Sequence, residues 1–273
     1  MRFRHLFSLL SIVVPLSLMT ATSAHADDLG TLAPGKLMAG VDANNKPYSY
    51  IDNGKMTGFD VELLRAIGAK LGLSVDFRAQ DFSGLLPSVT NQQIDLAAGS
   101  ISITTDRLKM VDFSEGYLTG LLSVATLPET TAITNDKASV KGKRIGVIQG
   151  TIEDTYSDSY LPGAQIVRFP NLNAGFVSMR SKYIDGFFID KSLVDGLQEK
   201  YPQIKIADRL DISAINLPAG FPMRKGNAKL EAAVNKTLND LVADGTWMKL
   251  YTQFHPGYPK PASLPPYAMK TGS

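Results

Sequence analysis

Gly99, Ser100, Ser102, Thr104 and Arg107 crowd into one stretch, AAGSISITTDRLKMVDF, from Ala97 to Phe113. An apolar run ends there in glycine, hydroxyls alternate with isoleucines, and a single arginine follows. Serine hydroxyls can donate hydrogen bonds, and glycine lets a ligand approach the backbone closely. A cation in the first turn of a helix is disfavoured by the helix dipole, unless an anion lies between it and the free N–H groups. Two readings stay open: Arg107 holds an anion such as a carboxylate, or it forms a surface ion pair with Asp106, Asp112 or Glu115.

Other positions offer complementary chemistry. In VIQGT, Val147 to Thr151, a strand runs into a glycine turn and a threonine at a helix start, a second place for an anionic or carbonyl oxygen. The lysine-ended glycine-rich phosphate loop is absent. Asp190 ends the apolar run FFID, where it can bind an ammonium group or cap the next helix. Asp42 poses the same choice after the first strand, where DANN can be a simple turn.

Signs of catalysis are poor. The histidines are His5 and His25 near the N-terminus and His255 near the tail, so none accompanies these motifs. That disfavours histidine acid–base work, Ser-His hydrolysis and His-rich zinc sites. Cysteine is absent, which removes disulfides and thiolate chemistry. No cofactor and no metal is expected.

The elements that must position these residues alternate between strand-like and helix-like, an α/β pattern. KLMAGVD reads as a buried strand, and Asn53-Gly54 after YSYI as a hairpin turn. GFDVELLRAIGAKL is an amphipathic helix, with Leu64, Ile67 and Leu71 on one face and Asp60 and Glu62 in its first turn. SVDFR and IDLAAG are strands. Pro87 in DFSGLLPSV fits the start of a short helix, and Thr104 or Thr105 caps TTDRLKM. A second cycle from about residue 120 places strands at KRIGVIQG, QIVRF and IDGFFID, and helices at TIEDTYSDSY, LNAGFVSMRS and KSLVDGLQEK. AKLEAAVNKTLNDLVADG is a long helix with Gly245 as its C-cap. The proline-rich HPGYPKPASLPPYAMKTGS is expected to be extended or disordered.

Residues 1–26 have the form of a cleaved signal peptide. Arg2 and Arg4 precede an apolar core of about 14 residues, shorter than the roughly 20 that span a bilayer and broken by Pro15. AHA at Ala24 to Ala26 supplies the small residues of a cleavage site. Removing the leader takes the formal charge from +2 to zero. A neutral chain without basic blocks argues against nucleic acid as a partner. These features suit a soluble protein of the periplasm.

Taken together, GFDVELLRAIGAKL, DFSGLLPSV, GSISITTDR, VDFSEGY, IGVIQGT and DGTWMKLY resemble the bacterial extracellular solute-binding proteins of family 3, the polar amino acid receptors of ABC transporters. The likeness runs from about Lys36 to Phe254 and looks closest to the glutamine-binding branch. It implies a type II, two-lobed α/β clamp, each lobe a mixed sheet flanked by helices. Lobe 1 would be 27–119 plus 218–259, lobe 2 120–217, and 260–273 a tail. A two-strand hinge would lie near Leu118 to Leu121 and Ile215 to Leu217.

The likeness further implies that Arg107 binds a ligand α-carboxylate, helped by Ser102, the backbone of Gly99 and Ser100, and Thr151, with the backbone N–H of Ile152 also at hand. Asp190 would take the α-ammonium, Phe82 would wall the side chain and Asp42 would meet its polar end. Asn45 stands where many members carry an aromatic, Ile152 where they carry glycine or a hydroxyl, and Ile189 where the glutamine branch has histidine. A monomer that delivers a free amino acid of polar or basic side chain, or a modified one such as an opine, to an inner-membrane ABC permease is the expectation. A dehydratase acting on prephenate-like acids and a ligand sensor for a membrane receptor are the alternatives.

Overall fold

The computed structural model describes residues 29–212 and 217–264. The expected leader, Ile215 of the expected hinge and the end of the tail lie outside them. Along the first part of the chain come β1 (Lys36–Val41), β2 (Asn44–Asn45), β3 (Ser49–Asp52), β4 (Lys55–Thr57), α1 (Phe59–Leu71), β5 (Ser74–Ala79), α2 (Phe82–Thr90), β6 (Leu96–Ala98), α3 (Thr105–Met110), β7 (Val111–Phe113) and β8 (Leu118–Thr119). The middle holds β9 (Leu122–Thr126), β10 (Arg144–Ile148), α4 (Ile152–Tyr160), β11 (Gln165–Phe169), α5 (Leu172–Arg180), β12 (Gly186–Asp190), α6 (Lys191–Lys200) and β13 (Ala207–Asp211). Then follow β14 (Pro218–Ala219), β15 (Pro222–Arg224), α7 (Ala228–Ala243) and α8 (Thr246–Phe254).

Two five-stranded mixed sheets result, ordered β5-β1-β6-β15-β7 and β11-β10-β12-β9-β13. In the first, β1 lies parallel to both β5 and β6, with Ala39 opposite Phe77 and Leu96. The second repeats this plan, with β10 parallel to β11 and β12. Each sheet with its helices forms one lobe. The chain leaves the first lobe after β8 and returns at β14, and these two strands pair antiparallel, Leu118 with Ala219.

Periodicity explains most of the elements. Helix α1 buries Leu63, Leu64 and Ile67, and Gly72 ends it in the left-handed conformation at φ 69°. Asn53 and Gly54, both at positive φ, make the tight turn between β3 and β4. Among the described residues no helix is long and apolar enough to cross a membrane.

Three local expectations change. Helix α2 runs from Phe82 through Pro87 rather than starting at it. The missing N–H costs only one bond of this short helix, while Leu85 and Val89 are drawn into the core. Asp244 is the C-cap of α7, and Gly245, at φ 79°, lies one residue beyond it as the N-cap of α8. That second helix has no counterpart among the elements read from the sequence. It buries Trp247 and Tyr251, whose rings meet Phe59 edge-on.

The tail also begins in order. His255 is buried and stacks on Tyr251 at 4.9 Å, Tyr258 donates to Asp195 at 2.6 Å, and Tyr251 donates to the Pro259 carbonyl at 2.9 Å. Aromatic stacking and hydroxyl bonds thus anchor a segment with few aliphatic residues.

Candidate functional site

The parallel strands of both sheets aim their carboxyl ends into one cleft, the usual ligand position in open α/β sheets. Asp42 follows β1, Gly99 follows β6, Gly150 and Thr151 follow β10, and Asp190 is the last residue of β12. Asp42, Asn45, Phe82, Gly99, Ser100, Ser102, Arg107, Thr151, Ile152 and Asp190 all line a single cavity, whose space, mouth included, is about 650 Å³. Ile148, Phe188, Ile189 and Leu193 give it an apolar wall on the second lobe.

Arg107 is 7% exposed. Thr104, the N-cap of α3, accepts from its backbone N–H at 3.2 Å. The guanidinium donates through Nη1 to the Ser102 carbonyl at 2.7 Å and through Nη2 to the Gly150 carbonyl of the other lobe at 2.9 Å. It lies 5.9 Å from the centre of the Phe82 ring. Among the described residues no carboxylate lies at ion-pairing distance from it. The surface ion pair is therefore set aside: Asp106 pairs with Lys109, Asp112 accepts from the Gly226 N–H, and Glu115 accepts from Asn239. Burial lowers the Arg107 pKa to about 10, so the group stays charged at neutral pH. A buried cation without a counter-ion is costly, and an anion bound here removes that cost.

Asp190 turns out to be both cap and cleft residue. Its Oδ1 accepts from the Ser192 N–H at 2.7 Å and from the Tyr48 hydroxyl at 3.0 Å, and Oδ2 from the Leu121 N–H at 3.1 Å. Burial raises its pKa to about 6, against the pull of those donors, so it remains mostly ionised at pH 7. Asp42 similarly closes a turn, accepting from the Asn44 N–H at 2.9 Å, while its buried carboxyl faces the cavity. Burial and, less strongly, Asp81 push its pKa up. Cation and anion from opposite lobes thus frame a space suited to a zwitterion.

Some expected donors are spent elsewhere. The N–H groups of Gly99 and Ser100 both donate to Oδ2 of Asp60 at 2.7 Å, and so cannot hold a ligand carboxylate. Asp60, read from the sequence only as a favourable charge at the start of α1, is a buried anchor that also accepts from Tyr117 at 2.6 Å. The Thr151 hydroxyl donates to the Ile148 carbonyl at 2.8 Å and caps α4, so its proton is engaged. Asn45 donates to the Gly99 carbonyl at 3.2 Å and takes no aromatic role.

Sequence reasoning missed Tyr48, Gly120 and Glu153. Glu153 carried a signal, an acid in the first turn of the helix after VIQGT. Tyr48 and Gly120 carried none, because both matter through Asp190, far away along the chain. A Cβ at Gly120 would collide with Asp190 Oδ2. The lobes meet across the cleft outside the cavity too, through Asn173 with Asn44 at 2.7 Å and Lys46 with Glu199 at 2.7 Å. Among the described residues no cluster of His, Asp or Glu could hold a metal ion.

Comparison with known proteins agrees with this architecture. The family model of the bacterial extracellular solute-binding proteins, family 3, matches residues 37–257. ABC transporter arginine-binding protein 1 of Escherichia coli (strain K12) is 28% identical over 230 residues, 83% of this chain and 93% of that protein. The histidine-binding periplasmic protein of Salmonella typhimurium is 27% identical over 258 residues, covering 90% and 95%. Among solved structures, an ancestral arginine-binding protein bound to arginine superposes with a TM-score of 0.77 at 29% identity, covering 81% of this chain and 98% of that one. An ancestral amino acid-binding protein described as a precursor of cyclohexadienyl dehydratase gives 0.73 at 30% identity, covering 81% and 95%. With a match over most of its length and the two-sheet clamp in place, the chain belongs to the bacterial extracellular solute-binding proteins, family 3.

Proposed function

We propose that the protein is exported through its leader to the periplasm, binds a free L-amino acid between its lobes, and delivers it to an inner-membrane ABC permease. Polar and above all basic side chains are favoured. Arg107, with Ser102 beside it, receives the α-carboxylate, Asp190 the α-ammonium, and Asp42 a cationic side chain, with Phe82 as its wall. The observation that carries this reading is the buried Arg107 guanidinium, with no carboxylate among the described residues at ion-pairing distance, in a cavity that also contains Asp190. The arginine- and histidine-binding relatives support the basic preference.

Binding and closure follow from one arrangement. A zwitterion satisfies both charges together only when the lobes meet, so ligand affinity for the closed form draws the equilibrium toward it. Thermal-shift screening of the twenty L-amino acids, followed by titration calorimetry, tests the reading. Basic amino acids should bind, and Arg107→Met should stay folded and lose that binding. Unchanged affinity in the variant, or no binding by any amino acid, would overturn it.

A dehydratase reading draws on Glu153, a buried acid in the cleft whose pKa burial raises to about 7. Among the described residues the cavity's charged groups, Asp42, Glu153 and Asp190 against Arg107 alone, disfavour a dianion such as prephenate. Incubation with prephenate and arogenate, with assay for phenylpyruvate and phenylalanine, separates the two readings.

A further inference from the structure

Glu153 has no part in the amino-acid grip just described, yet it is 7% exposed and lines the same cavity as Arg107 and Asp190. It sits in the first turn of α4, directly after the Thr151 cap. We infer that Glu153 is a ligand-site residue that takes up a proton from solvent as a ligand carboxylate docks at Arg107, entering the complex as a neutral acid. This deepens the amino-acid reading and rests on it.

Charge in a confined space sets the outcome. Among the described residues, Arg107 is the only cation in the cavity lining, and three carboxylates share that lining with it. Before a ligand carboxylate arrives, Glu153 is the acid whose charge Arg107 favours across the cavity. A zwitterion brings its own carboxylate to that guanidinium. Two ionised carboxyls beside one cation in a water-poor pocket repel strongly, and protonation of one relieves the repulsion. The ligand carboxyl is the stronger acid by far, so the proton goes to Glu153.

The groups facing Glu153 set the pH range. Its own backbone N–H favours the charged form, Asp190 of β12 opposes it, and Arg107 of α3 favours it more weakly. Asp42 and the Tyr48 phenol line the cavity from the first lobe. On its own helix, Asp154 is turned to Arg168 at 2.8 Å and to the Gly150 N–H at 3.0 Å, and Tyr156 interacts with Arg107. Burial dominates and holds the Glu153 pKa at about 7, so a proton is within reach at neutral pH. An arriving carboxylate raises that value further. Asp190 responds in the opposite sense: an arriving ammonium lowers its pKa from about 6, so its proton release is confined to more acid conditions.

Titration calorimetry of the full mature chain with L-arginine and L-lysine, whose side chains stay charged throughout, at pH 7.5, in phosphate and in Tris, reads the proton directly. The apparent enthalpy should differ between buffers in the sense of proton uptake, on the order of half to one proton per ligand, and affinity should fall roughly tenfold from pH 7 to pH 8.5. Glu153→Gln, neutral at every pH, should bind more tightly than wild type at pH 8.5 and lose both the uptake and the slope. Binding without proton uptake in the wild type, or a slope that persists in Glu153→Gln, overturns the inference and leaves the receptor reading standing. Failure of both amino acids to bind overturns both the basic-amino-acid reading and the inference built on it.

Discussion

The hydroxyl of Tyr48 donates to Oδ1 of Asp190 at 3.0 Å, joining the two lobes through residues 142 positions apart. Tyr48 is buried, with its ring 5.6 Å from that of His255, so the phenol is held from behind while it reaches across the cleft. The bond serves two ends at once: it fastens the lobes, and it helps keep the Asp190 carboxylate charged and oriented toward the cavity.

Tyr48→Phe keeps the ring and removes that donor. A hydrogen bond to a charged group contributes about 1.5–3 kcal/mol, so amino-acid affinity should fall roughly 10- to 100-fold. Titration calorimetry measures the loss, and far-UV circular dichroism should show an unaltered fold.

Gly120→Ala should act on the same carboxylate from the opposite side. The new methyl group occupies the place of Asp190 Oδ2, which must swing away and give up its bond to the Leu121 N–H. Affinity should fall roughly tenfold or more, in line with a lost charge-assisted bond. Wild-type affinity in this variant would show that the cleft tolerates a displaced Asp190.

Stability should rise as pH is lowered from 8 to 5. Asp60 and Asp190, each raised to about 6, and Glu153, raised to about 7, bind protons more readily when folded than when unfolded. Between their ordinary values near 4 and these raised ones the folded state holds more protons, so stability is greatest on the acid side and falls as pH climbs through about 6 to 7. His255 opposes them. Burial lowers its pKa to about 4, so it resists protonation when folded and its contribution fades as pH falls below 6.5. Three acids outweigh one histidine, and the melting temperature at pH 5 should exceed that at pH 8. A His255→Phe variant should steepen the trend.

Much of this was legible in the sequence because the relevant signals are local. The residues of the cavity follow apolar strands immediately, so Gly99, Thr151 and Asp190 could be placed at strand ends from pattern alone. Helix α1 shows its buried face through Leu64 and Ile67. What escaped depends on contacts between distant parts of the chain. Nothing near Gly99 and Ser100 shows that their N–H groups belong to Asp60. Nothing in the proline-rich tail shows that His255 will stack on Tyr251, since ring stacking leaves no periodic trace. Glu153 gives only a weak sign of its place, because an acid in a helix's first turn ordinarily faces water and serves the dipole.

If a ligand carboxylate satisfies the buried guanidinium of Arg107, a ligand without that carboxylate should bind far more weakly. One calorimetric titration series on the wild-type protein compares arginine with its decarboxylated amine, agmatine. The two share the guanidinium and the amine and differ only in the group assigned to Arg107. Arginine should bind, and agmatine should bind at least a hundredfold more weakly, because it leaves a buried charge without its partner. Equal affinity for the two would contradict the account.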